Sequence, residues 1–306
     1  MKLNQFLESS TEIGLKPNHE IEVLVIVLCY NQVNFIESAI KSVLSQEYSG
    51  SWHIVVHDDA SDDGSEEIIR QVVQMNETKV SAILQGRNKF GQGINYITEI
   101  QNLISAKFIA RLDGDDYWID IKKITRQVGI LKENSDVSLV FNSYKIFNQV
   151  DGTYAVFSLK SEGIINSKKL ARCNFIHTCT VMYRANKVFP LPTKLANYLI
   201  WDFPTWATLS SRGKLYYCAE IVAVNRRYSE NTFAGKPNKE FRDSTLQIYN
   251  YLIDFLPSRL ARSWKFIYQL RRVCYRLDTI TSNFATTLLN TILNRSVGIR
   301  FRDEIL

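Results

Sequence analysis

From residue 21 the chain alternates short, uniformly apolar, β-rich runs with amphipathic helical patterns. That alternation leaves few architectures open, because it is the pattern of βαβ units wound around a largely parallel sheet. The first run, IEVLVIVL at residues 21 to 28, is apolar on both faces and so belongs at the centre of a sheet covered on both sides. A helix follows with Phe35, Ile36, Ile40, Val43 and Leu44 on one stripe. HIVVHDD gives a second strand ending at Asp58 and Asp59, and Ser61 or Asp62 is placed to cap a helix bearing Ile68, Ile69, Val72 and Val73. A third strand begins near Val80, a helix covers 94 to 104, and FIARLDGDDYW supplies a fourth strand that runs into a cluster of acids.

After a helix at 120 to 133, SLVFNSYKIFNQVDGTYAVF reads as extended segments turned at Asp151-Gly152, so the sheet is expected to become mixed. A helix from about Trp201 to Gly213 precedes two short strands, KLYYC and IVAVNRR, and beyond Gly235 the pattern is helical with a break at Pro257. A chain of 306 residues that is 45% hydrophobic supports one large core with an appendage. The expected division is an N-terminal segment (1–20), an α/β domain (21–235) and a basic helical C-terminal extension (236–306).

The opening residues hold no secretory apolar run, and no segment approaches the ~18 apolar residues needed to cross a bilayer, so the expected location is the cytoplasm. The five cysteines are odd in number and widely spaced, which reads as reduced core thiols; neither C-x-x-C nor a Cys/His cluster is expected, which removes structural zinc and a thioredoxin-like reaction. Of the net charge of +6, residues 256 to 302 carry nine Lys/Arg against one acid. There Arg259, Arg262, Lys265, Arg271, Arg272 and Arg276 interleave with Trp264, Phe266, Ile267, Tyr268 and Leu270. Two readings stand: a basic amphipathic helix at an anionic membrane surface, or a helical subdomain packed on the main domain. Nucleic acid is not an expected partner, since the rest of the chain is slightly acidic and lacks a recognition motif.

In open α/β sheets, ligands bind beyond the carboxyl ends of the strands, where Cys29-Tyr30-Asn31, Asp58 and Asp113 lie. The first turn lacks the glycines that let a backbone approach a dinucleotide pyrophosphate, and Gly91-Gln-Gly93 follows the wrong strand, so a dehydrogenase is disfavoured. A small residue, an aromatic and carboxylates suit a nucleoside instead, its base stacked and its ring N–H accepted; the alternative is that Asp58 and Asp59 are turn residues. Asp113-Gly114-Asp115-Asp116 packs three carboxylates into four residues. Their repulsion is tolerable in water or beside a cation, and Mg²⁺ or Mn²⁺ suits such oxygen ligands; an acidic helix cap is the alternative. Asp202, in IWDFP, opens a helix with Pro204 in its first turn, a pattern that capping alone would explain.

The segments VIVLCYNQVNFIESAIKSVLSQ, HIVVHDDASDDGSEEII and FIARLDGDDYW, in this order, resemble family 2 glycosyltransferases, inverting enzymes of the Rossmann-like GT-A fold. The resemblance covers about residues 20 to 230. It implies a nucleoside pocket at Cys29, Tyr30, Asn31 and Asp58, with Cys29 standing where the family often has Thr. It implies a DxD motif in which Asp113 faces ribose or metal and Asp115 coordinates Mn²⁺ or Mg²⁺, and it makes Arg87 and Lys89 candidates to meet the diphosphate. Asp202 would be the general base. Arg226 falls where relatives carry an Arg that contacts donor phosphate or holds a loop, and Tyr228 falls where many carry His. The expected activity is a hexosyl transfer from a nucleotide-diphosphate sugar, UDP favoured, to a glycan or lipid-linked glycan in capsule, O-antigen or other surface polysaccharide assembly, at the inner face of the plasma membrane if the extension binds there. Two rivals remain, a sugar nucleotidyltransferase and a catalytically silent nucleotide-binding scaffold. The first usually carries a glycine-rich loop where this chain has Cys-Tyr-Asn-Gln, and the intact acids speak against the second. His177 is expected to pack beside a strand, and His53 and His57 need no role beyond theirs.

Overall fold

The computed structural model describes residues 2–15, 21–188, 202–228, 239–281 and 284–304. A short helix α1 (Lys2–Leu7) and strand β1 (Ser10–Ile13) come first. Then β2 (Ile21–Cys29), α2 (Ile36–Leu44), β3 (Trp52–Asp58), α3 (Ser65–Met75), β4 (Val80–Gln85), α4 (Tyr96–Leu103) and β5 (Ala106–Asp113) form the expected βαβ succession. β2 pairs in parallel with β3 on one side and β5 on the other, and β4 extends the sheet beyond β3. The chain therefore winds outward from β2 and then crosses back to β5, which makes the carboxyl end of β2 the switch point of the winding. β2 through β5 are buried almost throughout, as uniformly apolar strands require.

One expectation fails in this half. Neither Ser61 nor Asp62 caps α3; the helix starts later, after Gly64 at φ 98°, and the Asp63 carboxylate accepts from the Ser65 N–H. The N-terminal residues also contribute to the fold, since β1 pairs antiparallel with β4.

The second half mixes directions. β6 (Tyr117–Trp118), α5 (Lys123–Glu133), β7 (Val137–Asn148), β8 (Thr153–Leu159), β9 (Gly163–Ile165), β10 (Met182–Arg184) and α6 (Ala185–Val188) lead to α7 (Asp202–Arg212) and β11 (Lys214–Arg227). β10 runs antiparallel to both β5 and β7, and β7 and β8 form a hairpin turned at Gly152 (φ 72°). The two short strands expected after α7 are one strand of 14 residues, parallel to β7 and irregular between Cys218 and Ala223 but unbroken. Gly213 joins α7 to β11 where no larger residue fits: a Cβ there would lie 2.6 Å from the Ser138 Cβ and 2.9 Å from the Asp136 carbonyl oxygen.

Helices α8 (Lys239–Phe255), α9 (Ser258–Thr281) and α10 (Phe284–Val297) form the extension, separated at Pro257 as expected. It is not wholly helical, because β12 (Ile299–Glu304) returns to pair antiparallel with β8. α9 is fastened by its inner stripe. Trp264 is fully buried with its ring 5.2 Å from Phe203 and 5.0 Å from Tyr249. Arg271, also buried, donates to the Tyr249 hydroxyl (3.3 Å), Asn290 Oδ1 (3.2 Å) and the Arg172 carbonyl (3.0 Å). Trp264, Ile267 and Arg271 of the basic run are thus interior residues. Among the described residues no helix is long and apolar enough to cross a membrane.

Candidate active site

The switch point gathers the acids. In the β2–β3 register Cys29 stands opposite Asp58, and in the β2–β5 register Leu28 stands opposite Asp113, so the two strand-end carboxylates flank the last residues of β2. The loops beyond are stitched together: the Asn31 and Gln32 N–H groups donate to the Ser61 and Ser65 hydroxyls, Val33 N–H to the Asp63 carboxylate, and Asp62 N–H to Asn31 Oδ1. Asn31 (φ 52°) and Ala60 (φ 63°) are left-handed at the facing turns, a geometry Asn tolerates and Ala resists. The concentration of such backbone at a strand end is the kind of local strain found where a ligand is held.

Of the sequence-predicted nucleoside residues, Tyr30 is 51% exposed and free to stack, whereas Cys29 is 3% exposed and offers a ligand little surface. Burial, and then the Asp58 charge, push the Cys29 thiol up, so it is a neutral donor to Asp58. Asp58 also accepts from the Ser61 N–H (2.9 Å) and hydroxyl (2.5 Å) and is fully buried, which satisfies the turn reading and leaves lone pairs for one further donor. Ser61 links Asp58 to Asn31, a role the sequence did not signal. Asp59 is structural: it accepts from the N–H groups of Lys89 and Phe90 and from the Tyr96 hydroxyl.

The two cations expected near a diphosphate are engaged elsewhere. Lys89 is buried, and its ammonium donates to the carbonyls of Gln5, Phe6 and Glu8 at the end of α1, while Arg87 pairs with Glu8 at 2.9 Å. α1 fits here because Phe6 stacks on His57, which in turn lies 4.2 Å from the Tyr96 ring.

The acid cluster occupies the loop between β5 and β6. Gly114 N–H donates to the Leu28 carbonyl, laying the loop against the end of β2. Asp113 and Asp115 are partly exposed and Asp116 is buried. Burial pushes Asp113 up to about 7; Arg111 opposes the shift, and Asp115 and Asp202 add to it. Asp115 is raised by burial as well, although the Tyr228 hydroxyl donates to its Oδ2 at 3.0 Å. Asp116 takes the Asn225 amide and the Arg226 N–H on one oxygen. A divalent cation fits this chemistry: Asp113 and Asp115 offer hard oxygen ligands whose mutual repulsion it would relieve.

Arg226 is held between the rings of Phe35 (5.1 Å) and Tyr117 (4.4 Å) and donates to the Asp115 carbonyl (2.8 Å) and the Ser38 hydroxyl (3.1 Å). These bonds tie the end of β11 to the acid loop. Across the site, Asp202 opens α7 with Oδ1 on its neighbour Phe203 N–H (2.7 Å) and Oδ2 accepting from Asn174 (3.3 Å). Burial raises its pKa, the Arg111 charge opposing, and Asp202 is one of the charges that raise Asp113. Trp201 lies outside the described residues. Arg111, 2% exposed with its guanidinium 5.6 Å from the Trp206 ring, is the charge shared by both carboxylates; nothing but its place two residues before Asp113 could have flagged it.

The expected absence of a Cys/His cluster needs correction, since Asp116, His177 and Cys179 bring three ligand-type atoms within 4.8 Å of one another. His177 lies with its ring 4.9 Å from that of Tyr144 and tilted to it, and burial lowers it to about 4, while Cys179 is raised by burial, so at neutral pH both are uncharged. His53 bonds Ser81, in keeping with its place in a strand.

A mixed sheet of this winding, with paired carboxylates at its switch point, is a GT-A nucleotide-diphospho-sugar transferase fold. The solved structures agree in fold. S. aureus TarS 1–349 in complex with UDP-GlcNAc superposes with a TM-score of 0.64 at 13% identity over 90% of this chain and 80% of its own. The mannosyltransferase PcManGT from Pyrobaculum calidifontis, in complex with GDP-Man and Mn²⁺, gives 0.59 at 14% over 94% and 80%. The chain belongs to glycosyl transferase family 2, whose family model matches residues 24–188. Uncharacterized proteins of Mycobacterium bovis and Mycobacterium tuberculosis are 25% identical over 209 residues, 67% of this chain; the match spans 58% of their own length. The Escherichia coli protein WfgD, a UDP-Glc:α-D-GlcNAc-diphosphoundecaprenol β-1,3-glucosyltransferase, is 29% identical over 245 residues, 78% of this chain and 88% of WfgD.

Proposed function

We propose that the chain transfers a sugar, with inversion and with the help of Mn²⁺ or Mg²⁺, from a nucleotide-diphosphate donor to a glycan or lipid-linked glycan in surface polysaccharide assembly. The observation that carries this reading is the placement of Asp113 and Asp115 at the carboxyl end of β5, laid against the end of β2 by the Gly114 N–H, in a chain of glycosyl transferase family 2. The UDP-GlcNAc and GDP-Man–Mn²⁺ complexes of the fold neighbours support a nucleotide-sugar donor and a metal. The undecaprenol-linked substrate in the name of WfgD supports a lipid-linked acceptor, and with it contact between the C-terminal helices and the inner face of the plasma membrane.

In this reading Tyr30 stacks the base, and Asp58, fully buried, fixes Ser61 and with it the turn beside the base. Asp113 and Asp115 would hold the cation, which when bound neutralises the departing diphosphate. Asp202 takes the proton of the attacking hydroxyl. Its raised pKa makes it a stronger base than an ordinary carboxylate, and Asn174 and Phe203 N–H fix its orientation. Arg226 and Tyr228 keep the acid loop in place.

The test is calorimetric titration of UDP, GDP and dTDP with and without Mn²⁺, on the wild type and on Asp115→Ala. Metal-dependent binding of one nucleotide, lost in the variant, is the expected result. A folded protein that binds none of the three overturns the proposal in favour of a silent scaffold.

A further inference from the structure

The helices that fasten the extension carry a second pattern on their outer side. α9 turns Leu260, Trp264, Ile267 and Arg271 inward. Opposite them, at spacings of one helical turn, lie Arg262, Phe266, Gln269 and Val273, all exposed, with exposed Lys265 and partly exposed Arg272 flanking. Phe266 is 64% exposed and Val273 55%. α10 repeats the arrangement: Leu289, Leu293 and Val297 are buried, while Leu288 (50%), Ile292 (54%) and Arg295 face outward. The bond from Arg271 to Asn290 holds the two helices side by side. Of the nine cations in residues 256 to 302, which contain one acid, Arg262, Lys265, Arg272 and Arg295 lie on this outer side.

We propose that the outer face of α9 and α10 docks on an anionic lipid surface. Separate large apolar side chains set among cations match a headgroup layer: the cations meet phosphates, and Phe266, Val273, Leu288 and Ile292 reach the acyl boundary. A nucleic acid would satisfy the cations and leave those four side chains in water. The contact is lateral, as no described helix can span a bilayer. It deepens the lipid-linked acceptor reading, on which its functional meaning rests: Trp264, on the opposite side of α9, packs on Phe203 beside Asp202, so docking couples the membrane to the element that holds the base.

The full chain is to be sedimented with vesicles of phosphatidylcholine alone and of phosphatidylcholine with phosphatidylglycerol. Binding to the anionic vesicles only, weakened by salt, is expected. The triple variant Arg262→Gln, Lys265→Gln, Arg272→Gln should bind them about a hundredfold more weakly, and Phe266→Ser with Ile292→Ser about tenfold or more. All these side chains are exposed except Arg272, which is partly so, and an unchanged circular dichroism spectrum confirms the fold. Equal binding to both vesicle types, binding to neither, or an unaffected triple variant overturns the proposal. So does preferential capture by duplex DNA, or a dimer whose formation the Phe266 variant abolishes. Titrating the same preparations with UDP and Mn²⁺ separates the two readings: nucleotide binding without vesicle binding defeats docking alone, and vesicle binding without nucleotide binding defeats the transferase alone.

Discussion

Replacing Arg271 by Met keeps the volume of the side chain but removes its charge and every donor. The guanidinium is buried, donates three hydrogen bonds at 3.0 to 3.3 Å, and lies over the Tyr249 ring at 5.5 Å. Tyr249 keeps a partner, because its hydroxyl still donates to the Ala171 carbonyl at 2.7 Å. The Arg172 carbonyl loses its donor, and so does Asn290 Oδ1. At ~1–3 kcal/mol for each partly buried partner left without its donor, and with part returned because Met carries no charge to desolvate, the net loss is about 2–4 kcal/mol. For a chain of this size that lowers the thermal midpoint by roughly 4–12 °C, or, if the extension detaches before the sheet melts, exposes the segment around residues 256 to 298 to protease. Arg271→Lys, which keeps the charge without the planar fork, should lose less. Urea and thermal unfolding monitored by Trp fluorescence, with limited proteolysis alongside, reads both outcomes. A Met variant within about 0.5 kcal/mol of wild type, with unchanged proteolysis, would refute the claim that α9 is anchored through this residue.

Three further outcomes follow from the geometry. Asp202→Asn should lower turnover by roughly 10²–10⁴ while nucleotide affinity stays within about twofold, measured by coupled nucleotide release and calorimetry; a variant that loses donor affinity instead removes Asp202 from the base role. Because the folded-state pKa of Asp113 is raised to about 7, the folded chain holds a proton that the unfolded chain releases near pH ~4, so this group costs stability increasingly as pH rises between those values. Asp113→Asn should therefore raise the midpoint of metal-free protein at pH 8 and change it little at pH 4, and wild-type Mn²⁺ affinity should fall about fivefold from pH 7 to 6; pH-independent behaviour contradicts both. Lys89→Met, which leaves three carbonyls at the end of α1 without their ammonium, should speed proteolytic loss of the first fifteen residues severalfold and lower the midpoint, and an unchanged digest would show that α1 does not depend on this ammonium.

The central βαβ half was legible because its signal is local: a run such as IEVLVIVL can be satisfied only by a strand covered on both faces, and an Asp-Gly pair turns a hairpin wherever it occurs. Asp113, Asp115 and Asp202 were legible as a set only through resemblance, since nearly ninety residues separate the last from the first two. What escaped the sequence is long-range in kind. β1 and β12 are short and their pairing partners distant, so no periodicity marks them. Ala219 and Glu220 look like a break in a strand, yet β11 carries them as an irregularity while its neighbour β7 holds the line. Lys89 has the composition of a phosphate ligand and the position of one, but its partners are the carbonyls of an N-terminal helix some eighty residues away. Burial likewise divided the basic run of α9: Trp264 and Arg271 went to the interior, and Phe266 to the surface.

The irregularity in β11 also bears on how such a chain can change over time. Upstream of it the strand leaves α7 and its Asp202; downstream it delivers Asn225 and Arg226 to the acid loop. Side chains alternate faces along a strand, so inserting or deleting one residue between Cys218 and Ala223 would turn Arg226 away from the Asp115 carbonyl without altering any residue of the site. Lineages descended from this chain should accept substitutions at 219 and 220 freely and gain or lose length there hardly at all, whereas the hairpin tip at Gly152, whose neighbours are exposed, can lengthen without shifting that register.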